Sequence, residues 1–254
     1  MRSVSLSTAQ RIGLLDLTRL EAVAGDEAAI EALCARAQTP LGAVAAVCVH
    51  PAYVALAQGL LQGSSVAIAT VVNFPGGEQS IRETQKEVEN VLADGAEEID
   101  VVVPYKAWLA GDHRAIFTLL EAMQHWVNGR ARIKAILETG AIPLATQRIQ
   151  LAQETAATGV TFLKTSTGKS AVGATLEAVK DLMQVVHEYR ESGRALGIKV
   201  AGGVRSSAQL KQYLQIIETH MGSTFLAPDK VRIGASALLD NLLQEGMEND
   251  WCSL

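Results

Sequence analysis

Eight short runs of aliphatic and β-branched residues recur along this chain, and amphipathic segments of helical period separate them. The runs are Leu14 to Thr18, Val44 to Val49, Ser65 to Asn73, Glu97 to Val103, Arg132 to Glu138, Val160 to Thr165, Leu196 to Ala201 and Val231 to Ala235. Their centres lie roughly 22 to 36 residues apart, about one strand-plus-helix module. Such a chain returns each helix across the sheet, so the strands are expected to be parallel. Eight units without a Pro/Ser-rich linker, a low-complexity stretch or a strict repeat favour a closed (β/α)8 TIM barrel over an open doubly wound sheet. The first run is the weakest, being short and ending in the polar pair Thr18-Arg19.

The intervening segments support this reading. Ile81, Val88, Val91 and Leu92 share one helical face before Gly95 stops that helix. Segments Ala115 to Val127, Thr146 to Ala157, Ala174 to Tyr189 and Ser207 to His220 behave alike. A chain of 254 residues with 48% hydrophobic content has the usual size of one barrel, so residues 1–254 are expected to form a single α/β domain.

Charge narrows the function classes. The 22 basic and 27 acidic residues give a formal charge of -5, and no Lys/Arg block is present to track phosphate backbones or anionic lipid. Nucleic acid and membrane are therefore not expected partners. The first ten residues carry no apolar core of a signal segment, and later apolar stretches are interrupted before ~18 residues. Three cysteines, Cys34, Cys48 and Cys252, are too few and too scattered for a disulfide framework or a metal knuckle. A reduced cytoplasmic location fits. Pattern alone does not distinguish an exposed apolar helix face from a core face, so a homodimer stands beside a monomer.

Three of the strand runs contain a lysine: Lys134 in Arg-Ile-Lys-Ala-Ile-Leu-Glu-Thr, Lys164 in Phe-Leu-Lys-Thr-Ser-Thr-Gly, and Lys199 in Gly-Ile-Lys-Val-Ala-Gly-Gly. An ammonium group is rarely buried without a partner or a task. In a barrel the C-terminal strand ends form the reactive face. There the polar candidates are Asp16, Thr18, Cys48, Asn73, Asp100, Lys134, Glu138, Lys164, Lys199 and Ser236. A salt-bridge cluster that only closes the barrel is the alternative, but buried ions cost desolvation energy that apolar packing avoids. Lys164 and Lys199 fall on consecutive strands. At ~4 Å and an effective dielectric of ~20 their charges would repel by roughly 4 kcal/mol, enough to leave one amine neutral near pH 7. A neutral buried amine is a nucleophile toward carbonyls. Asp100 would offset part of the repulsion and could pass protons.

Other chemistries lack their motifs. The histidines have no metal-ligand spacing, and no His-Glu-x-x-His, Cys-x-x-Cys or Gly-x-Ser-x-Gly is present. His50, before Pro51, reads as a loop residue, and Trp108, Trp126 and Trp251 as packing residues. Cys48 reads as a small buried filler near the substrate with no base to activate it. Thr167-Gly168-Lys169-Ser170 ends like a nucleotide-binding loop, but Leu163 stands where that motif needs its first glycine. Gly202-Gly203-Val204, and Gly234-Ala235-Ser236 ahead of a short helix, follow the seventh and eighth runs. That is the usual phosphate site of such barrels, because helix N-termini and free backbone N–H groups aim at the anion. Tight turns alone would also explain these glycines. Asn73-Phe74-Pro75-Gly76-Gly77 leaves the third run in a turn.

Taken in order, these residues resemble the deoxyribose-phosphate aldolases, a family of Schiff-base (class I) aldolases. The resemblance runs from Leu15-Asp16-Leu17-Thr18 through Val47-Cys48-Val49, Val72-Asn73-Phe74-Pro75, Glu98-Ile99-Asp100-Val101-Val102, Lys134, and Glu138-Thr139-Gly140. It continues through Phe162 to Gly168, Lys199 to Arg205, and Arg232-Ile233-Gly234-Ala235-Ser236, covering nearly the whole chain. It implies that Lys164 forms the Schiff base, that Lys199 lowers its pKa, and that Asp100 joins a water-mediated proton relay. It also implies that Thr167, Lys169, Gly203 and Ser236 surround the substrate and its phosphate. Asp16, Thr18, Cys48, Lys134, Gly202 and Gly234 complete the expected binding set. The implied reaction is reversible cleavage of 2-deoxy-D-ribose 5-phosphate to D-glyceraldehyde 3-phosphate and acetaldehyde in deoxynucleoside breakdown, without metal or organic cofactor. Two departures stand out. Ala237 replaces a serine that some members carry in the phosphate loop, and the tail lacks a C-terminal tyrosine that some place over the pocket. A Schiff-base lyase for another phosphorylated carbonyl compound, and a silent sugar-phosphate sensor, are the rival readings.

Overall fold

The computed structural model describes residues 6–21 and 25–251. Residues 1–5, part of the segment read above for a leader, lie outside them, as do Cys252 and the end of the tail. Eight parallel strands close into a barrel. They are β1 Leu15–Arg19, β2 Ala46–Val49, β3 Ala67–Val72, β4 Glu98–Val102, β5 Arg132–Ile136, β6 Phe162–Lys164, β7 Gly197–Ala201 and β8 Val231–Gly234. Each pairs with the next in sequence, and β8 closes on β1 with Leu15 opposite Ile233.

All eight expected strands are present, most of them shorter than their apolar runs. Val44 illustrates why: its amide bonds to the Ala37 carbonyl, not to a barrel neighbour. Val44 directly follows a small antiparallel pair, Gln38–Thr39 with Gly42–Ala43, which the periodicity did not reveal.

Eight helices ring the barrel among the described residues: α1 Glu27–Arg36, α2 Val54–Leu60, α3 Ile81–Ala93, α4 Arg114–Val127, α5 Ala145–Ala157, α6 Leu176–Glu191, α7 Ser207–Met221 and α8 Leu238–Trp251. Short helices Thr8–Ile12 and Tyr105–Leu109 are added to this ring. Helix α3 starts at a reciprocal capping box between Ser80 and Glu83 and is followed by Gly95 at positive φ. Its buried stripe is Thr84, Val88 and Val91, whereas Ile81 at the first helical position stays exposed. Helix α8, expected to be short, runs to Trp251 and takes in the start of the tail. No described helix is long and apolar enough to cross a membrane.

The core has two parts. Outward-facing strand residues and the inner helix faces form a continuous apolar shell. Inside the barrel, Ala46, Cys48, Ala69 and Val71 of β2 and β3 make a separate small-residue patch with Leu20. On the other strands the interior holds a cluster of buried charges, with Phe162 beside it.

Candidate active site

Parallel pairing puts register partners on the same face of the sheet, and strand alternation puts residues two apart on that face too. Asp100 is paired with Lys134, Lys164 with Lys199, and Lys199 with Arg232. Glu98 lies two residues before Asp100. All of these side chains therefore point into the barrel, where Asp16 meets them from β1.

Asp100 is the hub. Its Oδ1 accepts from Lys134 Nζ at 2.8 Å, and its Oδ2 accepts from both Lys164 Nζ at 2.7 Å and Lys199 Nζ at 2.8 Å. Asp16 pairs with Lys199 at 2.5 Å and Arg232 at 2.8 Å. Glu98 pairs with Lys134 at 2.6 Å and with the Arg232 fork at 2.7 Å. The side chains of this network are at most 4% exposed.

The three lysines do not behave alike. At Lys164 burial is the largest influence and lowers the pKa; Lys199 lowers it further, while Asp100 opposes both. At Lys199 the same burial is outweighed by Asp100 and Asp16, and the pKa rises. Lys134 also rises, because Asp100, Glu98 and Asp16 together overcome its burial and the repulsion of Lys199. Burial would raise Asp16 and Asp100, yet the surrounding cations hold both carboxyls below the usual range. At Lys164 desolvation is a larger cause than the repulsion from Lys199, and both act downward.

Lys164 ends the three-residue strand β6 and reaches a cavity of about 340 Å3 at the C-terminal mouth. Lys199, Thr18, Thr167, Lys169, Gly202, Gly203, Gly234 and Ser236 line the same cavity, with Ala237. Asp16, Cys48, Asp100 and Lys134 are fully buried and absent from its lining; of these Asp100 touches the cavity residues Lys164 and Lys199 directly. Burial pushes the Cys48 thiol up, away from the reactive thiolate.

The rim is tied down by its own hydrogen bonds. Thr165 Oγ1 donates to the Ala201 carbonyl at 2.9 Å and accepts from its amide at 3.0 Å, stitching β6 to β7. Thr167 donates its hydroxyl to Glu138, whose backbone is left-handed, and accepts from the Lys169 amide at 3.0 Å. Lys169 Nζ reaches Glu21 at 2.9 Å on the exposed edge. The Ser236 hydroxyl accepts from the Thr18 amide at 3.0 Å and donates to the Thr18 carbonyl at 2.8 Å. Gly202 and Gly203 hold positive φ beside the cavity, and α8 begins two residues after Ser236. This side combines backbone N–H groups, a helix N-terminus and Lys169, a suitable setting for an anion.

Elsewhere, Asn73 folds the turn after β3 by donating to the Val102 carbonyl and accepting from the Gln79 amide, both at 2.8 Å. His50 Nδ1 accepts from the Ala52 amide in its loop. Trp108 is buried and donates to Glu154, and Trp126 packs on the outer shell. The Trp251 side chain is outside the described residues. Sequence reading assigned no role to Glu98, Arg232 or Glu21. The alternation of Glu98 with Asp100 was the available signal for the first.

A buried amine whose pKa is lowered, beside a carboxylate held by two other cations, is suited to add to a carbonyl and pass protons. Comparison with known proteins agrees. The family profile described as DeoC/LacD family aldolase matches residues 11–243. A deoxyribose-phosphate aldolase of Agrobacterium fabrum is 37% identical over 238 residues, 93% of this chain and 90% of that protein. A solved structure from Toxoplasma gondii ME49 superposes with a TM-score of 0.86 at 24% identity, covering 97% of this chain and 96% of that one. The deoxyribose phosphate aldolase of Aeropyrum pernix, described as tetrameric, gives 0.75 at 24% identity, over 96% and 93% of the two chains. The last two likenesses concern the fold.

Proposed function

This chain belongs to the DeoC/LacD family of aldolases, and on that premise we propose that it cleaves 2-deoxy-D-ribose 5-phosphate reversibly through a Schiff base on Lys164. The observation that carries the reading is the shared oxygen of Asp100. Two lysines meet it at 2.7 and 2.8 Å, and their pKa values move apart, Lys164 downward and Lys199 upward. Such a divergence separates the nucleophile from the proton holder.

The uncharged Lys164 amine adds to C1 of the open-chain aldehyde, and loss of water leaves a protonated imine. That cation accepts electrons from a bond to C2. The C2–C3 bond therefore breaks, and its electron pair becomes an enamine on the two-carbon fragment. The C3 hydroxyl gives up its proton as the three-carbon aldehyde forms. Asp100, acting through a water and held by protonated Lys199, is assigned as the acceptor for that proton. Protonation of the enamine at C2 and hydrolysis of the imine release acetaldehyde and restore the amine.

The phosphate is assigned to the rim of Gly202, Gly203, Gly234, Ser236 and Lys169. Binding there lies away from the reacting carbons, so it serves orientation. Since the Ser236 hydroxyl is engaged with Thr18, the backbone of this loop is the part offered to the anion. The chemistry is assigned to protein side chains alone, and the free thiols Cys34 and Cys48 fit a reducing cytoplasm.

The test is reductive trapping. Incubation with acetaldehyde or substrate followed by borohydride should leave one adduct, mapped by mass spectrometry to Lys164, and Lys164→Ala should lose cleavage by at least ~10³-fold. An active protein whose adduct lies elsewhere would overturn the assignment.

A further inference from the structure

Asp16, Glu98 and Asp100 share the barrel interior with Lys134, Lys164, Lys199 and Arg232, three carboxylates against four bases. A water-poor interior resists uncompensated charge. Protonated Lys134, Lys199 and Arg232 already match the three anions, so a protonated Lys164 would be a fourth cation.

Arg232 enters this balance from the far side. It lies outside the lining of the catalytic cavity and instead borders, with Glu98, a cavity of about 470 Å3 at the N-terminal mouth. Its fork donates to Glu98 at 2.7 and 3.0 Å and to Asp16 at 2.8 Å, and its Nε donates to the Pro228 carbonyl. The Phe162 ring lies 5.8 Å from the guanidinium carbon. A guanidinium keeps its proton throughout the working range.

We propose that Arg232, anchored by Glu98, is a positioning residue: its permanent charge adds to Lys199 on Asp16 and to Lys134 on Glu98, lets both lysines hold Asp100 as well, and leaves Lys164 as the base that can remain an uncharged amine. The proposal rests on the reading of Lys164 as nucleophile. The ionisable groups around Lys164 and Arg232 include Asp16 on β1, Cys48 on β2, Glu98 and Asp100 on β4, Arg132 and Lys134 on β5, and Lys199 on β7; Glu97 and Asp229 line the cavity beside Arg232, and Glu21, Lys169 and Arg205 the cavity that Lys164 reaches. Strand β3 presents Ala69 and Val71 on this side and adds no charge.

The mechanism requires opposite responses at the two partners. Arg232→Met leaves one anion in excess, which a proton on Lys164 would neutralise. Glu98→Gln removes an anion and makes that proton less favourable. The rate of borohydride trapping of acetaldehyde on Lys164, followed by mass spectrometry across pH, reads this directly.

For Arg232→Met the acid limb should move up by about one pH unit, slowing adduct formation below the limb roughly tenfold. For Glu98→Gln it should move down, and the double variant should return toward the wild-type position. Arg232→Lys, which keeps the charge, should leave the limb within a few tenths of a pH unit. If Arg232→Met does not fold, Glu98→Gln and the double variant carry the test.

Limbs that stay in place, or that move the same way in both single variants, would overturn the proposal. A wild-type protein without an adduct on Lys164 would instead overturn the nucleophile assignment on which it rests.

Discussion

At the scale of single residues, three lysines inside one barrel have pKa values moved in different directions, Lys164 down and Lys134 and Lys199 up. Lys164 has Asp100 as its carboxylate and shares it, whereas Lys199 also has Asp16 and Lys134 also has Glu98. Burial weighs on all three, so the number of carboxylate partners decides which way each pKa moves. Lys134 does not reach the cavity, and its effect is transmitted through Asp100. Lys134→Met should cost about 3 to 5 kcal/mol of stability, because it leaves buried carboxylates unpaired. It should also raise the acid limb of cleavage. Urea unfolding and a pH–rate profile check the two effects, and an unchanged urea midpoint would refute the first. Lys164, Lys199 and Asp100 were legible as charges inside apolar runs. Glu98 and Arg232 were less conspicuous because they sit near strand starts, where charges commonly meet solvent.

At the scale of elements, strands deliver the charges and loops shape the space above them. The loop from Thr165 to the start of α6 packs closely against the loop after β7. A Cβ on Gly173 would lie 2.3 Å from the Gly202 carbonyl oxygen, and Gly202 itself requires φ of +97°. Gly173→Ala should therefore displace the assigned phosphate rim. The expected result is a KM for 2-deoxy-D-ribose 5-phosphate raised about five- to tenfold. The KM for unphosphorylated 2-deoxy-D-ribose should change little. Equal effects on both sugars would show that the contact supports the whole site and not the rim. The glycine pairs were visible in the sequence, but the partner packed against Gly202 was not, since Gly173 and Gly202 lie on different loops.

At the scale of the whole molecule, the interior charge links folding to pH. Asp16 and Asp100 have folded pKa values below 3.8, so their stabilisation is complete above that value and is lost as pH falls through the folded values. Lys134 and Lys199 are raised above 10.5; their contribution is complete below 10.5 and is lost as pH rises through the folded values. Lys164 runs the other way. Its lowered pKa makes the unfolded chain bind more protons below 10.5, so its contribution to stability grows as pH rises from the folded pKa toward 10.5. Thermal melts should fall off below about pH 4 and at the alkaline end, by ~2 to 4 °C for each kcal/mol lost. A melting temperature that stays constant down to pH 2 would contradict the role of the carboxylates.

The sequence by itself determined the repeated strand–helix alternation, the barrel class and the three lysines set in apolar strands. Those features are local, because periodicity and a misplaced charge can be read within a few neighbouring residues. Only the tertiary structure decided that Asp100 serves three lysines at once, that burial outweighs the Lys199 charge at Lys164, and that Arg232 completes the network from the opposite mouth. Each of these depends on register and closure between strands far apart in the chain, and electrostatic balance in a closed barrel belongs to all eight strands together.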